Sequence, residues 1–476
     1  MTPPRFDPAL RNMSVVVALG AIMTALDTTI VNVAVHVLGR DLHTSLSTIQ
    51  WVLTGYTLAL SMTIPVTGWA VDRFGTRPLW ITSLALFMAG SVLCGVAWSA
   101  ASLVAFRILQ GVGGGLLMPV GQTMLARAAG PDRMGRVMAV VSIPAMLAPA
   151  LGPVFGGVLL DHLSWRWMFF VNVPICAAAL LLAIRLLPRV DEHRGTAPAL
   201  DGWGLALLSP GLALLVYALS QAGEDAHVSN PRVYAGLVAG VALLVAFGVR
   251  AARRTDRALV DIRLFGRRPF ATAVAALFFY SIGMFGVLIL VPLYDQTVRG
   301  GSALDAGLLT APLGLGAILT MPLAGRFVDR AGPRIPGIAG VLVVLLGTSA
   351  FTTVGSTRAL PFLAAAVFVI GLGHGMIIPS LMAGAYRGLP RPSIPNATTA
   401  ASIMIRVGSA LGAAALAVIL QIAFRHTDHP SAAFATSFWW ALGFTAVSLL
   451  PALLVPRRTP ATNEAATTPA PVEATP

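Results

Sequence analysis

The chain has 476 residues, 56% of them hydrophobic and 11% charged, and its net charge of +13 comes from 32 basic residues that are all arginine. Soluble domains carry about 25% charged residues. Uncharged runs near 20 residues recur along the whole length here, so the solvent is mainly lipid. The arginines fall in short breaks between apolar runs, not on one soluble face, which excludes a nucleic-acid binder.

Taking roughly 20 residues per crossing, the hydropathy predicts fourteen membrane helices in chain order. They lie near 13–35, 51–70, 79–98, 102–126, 137–160, 167–187, 203–221, 233–249, 271–293, 306–325, 336–354, 359–380, 397–423 and 435–455. Arg5 and Arg11 precede the first run, and no small-residue cleavage site follows it, so it is expected to remain as a helix. The only cysteines, Cys94 and Cys176, fall inside spans, where thiols pack as small apolar groups; no disulfide and no metal site is expected. The tail beyond 456, rich in Pro, Ala and Thr, is expected to be disordered.

Alternating the spans across the membrane puts 24 arginines on the side of the amino terminus and 6 on the other. Arg107 and Arg406 fall deep within spans. Positive charge accumulates in cytoplasmic loops, so both termini are expected in the cytoplasm, with an even number of spans. An internal repeat supports duplication. Gly68-Trp-Ala-Val-Asp72-Arg73-Phe-Gly75-Thr-Arg77 follows the second span, and Gly325-Arg-Phe-Val-Asp329-Arg330-Ala-Gly332-Pro-Arg334 follows the tenth. Both read G-x-x-x-D-R-x-G-x-R. Transporters are often built from such repeats, with the substrate site between them. The expected organisation is a cytoplasmic amino terminus (1–12), a six-helix half (13–187), a linker with an inserted helix pair (188–269), a second six-helix half (270–455) and the tail (456–476).

Five stretches resemble the major facilitator superfamily, and within it the drug:proton antiporter branch with fourteen spans, the EmrB/QacA type. They are Leu26 to Ala34 on the first helix, the Gly68 to Arg77 loop, Arg107-Ile-Leu-Gln110-Gly111-Val-Gly113 on the fourth helix, Leu151-Gly152-Pro153-Val-Phe-Gly156-Gly157 on the fifth, and Trp165 to Pro174. The resemblance implies an all-α major facilitator fold and a bacterial inner-membrane exporter of small amphiphilic compounds, driven by protons. It also links the fourth-helix Arg107 to proton coupling and the fifth-helix motif to antiport. One departure is visible. Where the loop motif commonly has a basic residue after its second glycine, Thr76 and Pro333 stand, with Arg77 and Arg334 one position on.

Asp27 carries the most information. A carboxylate deep in a span is costly and usually serves function. At about 1.5 Å per residue, Asp27 and Arg107 both lie about 22 Å above the cytoplasmic boundary, so opposite charges share a depth. One reading is a proton switch, with Asp27 protonated outside and deprotonated inside. The other is a static ion pair that locks the packing. Arg406, near mid-depth on the thirteenth span, attracts an anionic group or pairs with a carboxyl across the bundle, or else snorkels or bonds backbone carbonyls with no role in transport. His374 either titrates near neutral pH or packs as a satisfied core histidine.

Gly152, Gly156 and Gly157, with Pro153, allow close packing and bending of the fifth span, for a hinge or for ordinary packing. Asp72 and Asp329, beside Arg73 and Arg330, are expected to pair with loop arginines or cap helices and so hold the inner side shut. Asn32, Tyr56, Gln110 and Gln122 are candidate polar contacts for substrate. With Asp27 the one clear mid-membrane acid, neutral, zwitterionic or monocationic amphiphiles are favoured, and anions are possible through Arg406.

No phosphate-binding G-x-x-x-x-G-K-[ST] loop and no HExxH metal motif exists, so neither a primary pump nor a metalloprotease is supported. No cofactor is expected, the proton being the coupling ion. The expected partners are the lipid bilayer, the substrate and protons, with the monomer as the working unit. An importer or single-metabolite exporter of the same fold, and a membrane-embedded enzyme or sensor, are the rival readings.

Overall fold

The structure is a computed structural model that describes residues 8–129, 152, 155–160, 162–188, 200–225, 231–253, 260–353, 359–427 and 429–456. Every regular element among them is helical. Twelve helices are long and apolar enough to cross a membrane. In chain order, with one shorter apolar helix included as α10, they are α1 Pro8–Ile30, α2 Thr48–Phe74, α3 Thr76–Gly95, α4 Ala100–Ala129, α5 Trp167–Leu186, α6 Gly202–Asp225, α7 Pro231–Arg253, α8 Arg268–Val298, α9 Ala303–Ala331, α10 Arg334–Ser349, α11 Leu360–Tyr386, α12 Ile394–His426 and α13 Pro430–Leu454. Each coincides with an expected span.

Two expectations need qualification. The helix α10 has 16 residues, fewer than the expected 336–354. The fifth span, 137–160, lies mostly outside the described residues, as do the tail and much of the 188–202 linker.

Backbone polar groups have no water to bond in lipid, so each crossing satisfies them internally. Proline is tolerated where neighbours compensate. Pro119 and Pro379 sit inside α4 and α11, and Pro65 falls in a 3-10 turn, Ile64–Val66, within α2. Helix ends carry specific caps. The Ser302 hydroxyl and the Asp305 carboxylate form a reciprocal capping box at the start of α9.

The duplication seen in the loop motif extends to packing. In the first half α4 packs against both α2 and α3; in the second, α11 packs against α9 and α10. Glycines at matching places allow these contacts. Gly111 of α4 backs onto the Tyr56 carbonyl of α2, and Gly371 of α11 backs onto the Leu313 carbonyl of α9. Gly113 meets Ser83 and Phe87 of α3, whereas Gly373 meets Gly340 and Val344 of α10. A side chain at any of the four would collide with backbone, which is why small residues dominate membrane helix contacts.

The two loop motifs also turn alike. Gly75 has φ 83° and ψ 161°, and Gly332 has φ 89° and ψ 169°. Only glycine occupies this region at little cost. Each closes its helix by donating its N–H to a carbonyl four residues back, Val71 at 2.8 Å and Val328 at 2.9 Å.

The halves meet where the Thr67–Phe74 end of α2, and α4, pack against α12. There Gly68 backs directly onto Asn396 and Thr399. The helix α6 touches both sides of this division, lying against α2 and α12 and pairing with α7. Its Ser209 hydroxyl donates to the Met62 carbonyl at 2.7 Å, and Tyr217 stacks on Trp51 at 5.7 Å. Asp201, before α6, forms an ion pair with Arg250 near the end of α7 at 2.7 Å.

Candidate functional site

The mid-membrane charges face each other. Asp27 of α1 accepts from Arg107 of α4 through its Oδ2 at 2.7 Å, and both side chains are buried. The other carboxylate oxygen, Oδ1, accepts from Gln110 Nε2 and from Asn172 Nδ2, each at 2.9 Å. Ser91 of α3 accepts from the same two amides, at 2.8 and 3.2 Å. Arg107 also donates to Gln110 Oε1 at 2.8 Å and to the Val52 carbonyl at 3.3 Å. Its guanidinium lies over the Tyr56 ring, 4.0 Å from the centroid.

The local sequence explains this assembly. Arg107 and Gln110 are three residues apart on α4 and share one face. The break in α5 at Val171, between Trp167–Phe170 and Asn172–Leu186, sets Asn172 at the start of the longer segment, aimed at α1. Five elements thus contribute to one neutral, fully enclosed cluster. A buried ion pair is stable only where further hydrogen bonds satisfy both partners, and these do.

Asn172 and Ser91 escape sequence reasoning as cluster members. Asn172 lies inside the Trp165–Pro174 stretch that marks the resemblance, but nothing there indicates its partner. Ser91 is one of many serines in spans. Gln110, a candidate substrate contact, bonds Asp27, Arg107 and Ser91 in this conformation. Tyr56 is buried under Arg107. The Gln122 Oε1 atom is buried without a hydrogen-bond partner among the described residues. Asn32 lies in the 3-10 turn Val31–Ala34 that follows α1.

The remaining candidates stand apart from the cluster. His374 of α11 is hydrogen-bonded through Nδ1 to the Tyr280 hydroxyl of α8, with both buried inside the second half. Arg406 of α12 is partly exposed, with Tyr56 of α2 in its neighbourhood. Asp72 pairs with Arg127 of α4 at 3.1 Å, and Arg77 donates to the Ile184 carbonyl of α5 at 2.9 Å. Arg73 and Arg330 are exposed, and Asp329 is half-buried at the place equivalent to Asp72. Gly152 backs onto Thr29 of α1, Gly156 is buried, and Gly157 faces open space. Pro153 lies outside the described residues.

A duplicated bundle of lipid-crossing helices, with one charge cluster deep inside and polar caps at its ends, defines a membrane transporter. The chain belongs to the Major Facilitator Superfamily, whose sequence model matches residues 17–413. It is 39% identical over 428 residues to the Multidrug resistance protein B homolog of Mycobacterium tuberculosis, covering 90% of this chain and 79% of that one. It is 30% identical over 450 residues to the Putative multidrug resistance protein MdtD of Shigella flexneri, covering 93% of each. Among solved structures, the human organic anion transporter MFSD10 (TETRAN) superposes with a TM-score of 0.65 at 18% identity, covering 96% of this chain and 100% of that one. At that identity the likeness speaks for the fold alone. The chain is therefore a multi-pass membrane transport protein and not an enzyme.

Proposed function

We propose that this transporter is a proton-driven antiporter of the fourteen-span drug:proton branch, exporting small amphiphilic compounds through the inner membrane of a bacterial cell. The observation that carries the reading is the buried Asp27–Arg107 pair at 2.7 Å. Two amides hold the ionised carboxylate in place beside the arginine. Protonation of Asp27 removes its charge and with it the attraction to Arg107. Arg107 keeps the Val52 carbonyl, Gln110 and the Tyr56 ring as partners. The pair can therefore open without leaving the arginine bare.

Asp27 faces protein, not lipid, and has no exposed surface in this conformation. Proton exchange then belongs to a second conformation in which water reaches it. In the proposed cycle Asp27 takes a proton on the outer side and releases it inside. An inward proton supplies about 2.3 kcal/mol per 100 mV of membrane potential.

With both termini in the cytoplasm, the contact of Gly68 with Asn396 and Thr399 and the Asp72–Arg127 pair lie on the inner side and hold it shut. The hairpin of α6 and α7 is then the inserted pair between two six-helix halves, with 137–160 as the fifth crossing and α10 the eleventh. The multidrug names of the relatives support an amphiphilic cargo. Gly152, Pro153, Gly156 and Gly157 are assigned to the fifth-helix hinge.

Everted vesicles test the reading. Adding substrate to acid-loaded vesicles should release protons, and the Asp27→Asn variant, compared at equal amounts in the membrane, should not release them. Undiminished proton release by Asp27→Asn would leave the ion pair as a static lock.

A further inference from the structure

We propose that Arg406 receives an acidic group of the substrate, so that the transported amphiphiles carry a carboxylate, sulfonate or similar anion. The proposal rests on the transporter reading above and names its substrate class.

Arg406 is the thirteenth residue of α12, about 18 Å along that helix, and so lies well within the membrane. A cation at that depth costs several kcal/mol unless it is paired or faces a water-filled space. The two arginines within spans differ sharply. Arg107 has five polar or ring partners and no exposed surface. Arg406 makes no ion pair and no hydrogen bond among the described residues, and it is partly exposed.

Among the described residues no carboxylate pairs with it. Asp27 is already held by Arg107, Gln110 and Asn172. Asp295 is paired with Arg299 near the far end of α8, and Asp305 caps the first turn of α9. The stretch 133–160 contains no Asp or Glu at all. Among the described residues the spans therefore hold one balanced pair, Asp27 with Arg107, and one cation without a carboxylate partner, Arg406.

Position points the same way. The helix α12 is the element of the second half that packs on α2, α4 and α6, and substrate sites of duplicated transporters lie between the halves. Across that division the neighbourhood of Arg406 includes Tyr56 of α2, whose ring supports Arg107. An anion seated on Arg406 would thus lie on the face of α12 that packs toward the half holding the proton-binding pair. Its apolar body would rest on apolar helix surface. Leaving an inside-negative cell, such an anion gains about 2.3 kcal/mol per 100 mV, whatever protons add.

The test uses the full-length protein and three dansyl probes of similar size: dansylglycine, its methyl ester, and a dansyl alkylamine. Tryptophan-to-dansyl energy transfer reads binding. Wild type should prefer the acid, and Arg406→Gln should weaken acid binding about tenfold or more while leaving the ester unchanged. Arg406→Lys should recover part of the loss. Equal or better binding of ester or amine by wild type overturns the proposal, and needs no variant to fold. Unchanged acid affinity in Arg406→Gln overturns it as well. Proton release is recorded in parallel with each probe. Acid-selective binding without proton movement would remove antiport and keep the anion site; proton-coupled flux of the amine without acid binding would do the reverse.

Discussion

Asn172, 145 residues beyond Asp27 in the chain, donates its side-chain amide to the Oδ1 of that carboxylate at 2.9 Å. Asn172 and Gln110 together bond one carboxylate oxygen while Arg107 holds the other. The carboxylate is thereby tied to two helices besides its own, α4 and α5, and its removal should be felt in both.

Breaking one side of a buried pair leaves an uncompensated charge, at a cost of about 3–5 kcal/mol. Arg107→Gln should therefore lower the unfolding temperature in detergent strongly. Adding Asp27→Asn to it should recover most of the loss, because the remaining groups are neutral amides. A double variant as unstable as Arg107→Gln alone would show that the two side chains do not interact.

Asn172→Leu should cost about 1–3 kcal/mol, the penalty for removing one buried donor from a charged acceptor. Gln110 remains on Oδ1, so the variant should fold and keep substrate binding. Thermal unfolding alongside probe affinity checks both parts. Loss of folding comparable to Arg107→Gln would mean that the amide, and not the arginine, dominates the cluster.

Gly75→Ala and Gly332→Ala should each cost about 1–3 kcal/mol, since both positions have φ above 80° with ψ near 165°. The two costs should match within error. A harmless Gly332→Ala beside a damaging Gly75→Ala would break the equivalence of the two turns.

A Cβ built on Gly68 would lie 3.7 Å from the Asn396 Cα, close to disulfide geometry. In a background with Cys94 and Cys176, both buried and free, replaced by serine, Gly68→Cys with Asn396→Cys should cross-link on mild oxidation. Transport should stop and return on reduction. Efficient cross-linking with full transport would show that this contact never opens.

Much of the architecture was legible before any coordinates. All thirteen helices fall on expected spans, and the duplicated loop motif announced two halves that do repeat, down to Gly111 with Gly371 and Gly113 with Gly373. The site was legible only in part. Asp27 and Arg107 stood out because charge in an apolar run is conspicuous at any orientation. Nothing in the sequence marks Gln110, Asn172 or Ser91 as partners of Asp27, because a polar amide or hydroxyl in a span looks the same whether it faces a cavity or a neighbour.

The amino-acid sequence by itself determined the solvent, the all-helical class and which charges fall within long apolar segments. Those properties follow from transfer free energy and rise per residue, which do not depend on what a helix packs against. Tertiary structure alone decided partnership. Each residue turns about 100° around a helix axis, so rotation and tilt choose which neighbour a side chain meets. That choice gave Asp27 three hydrogen-bonding partners and left Arg406, of equal charge to Arg107 and also within the membrane, without any among the described residues.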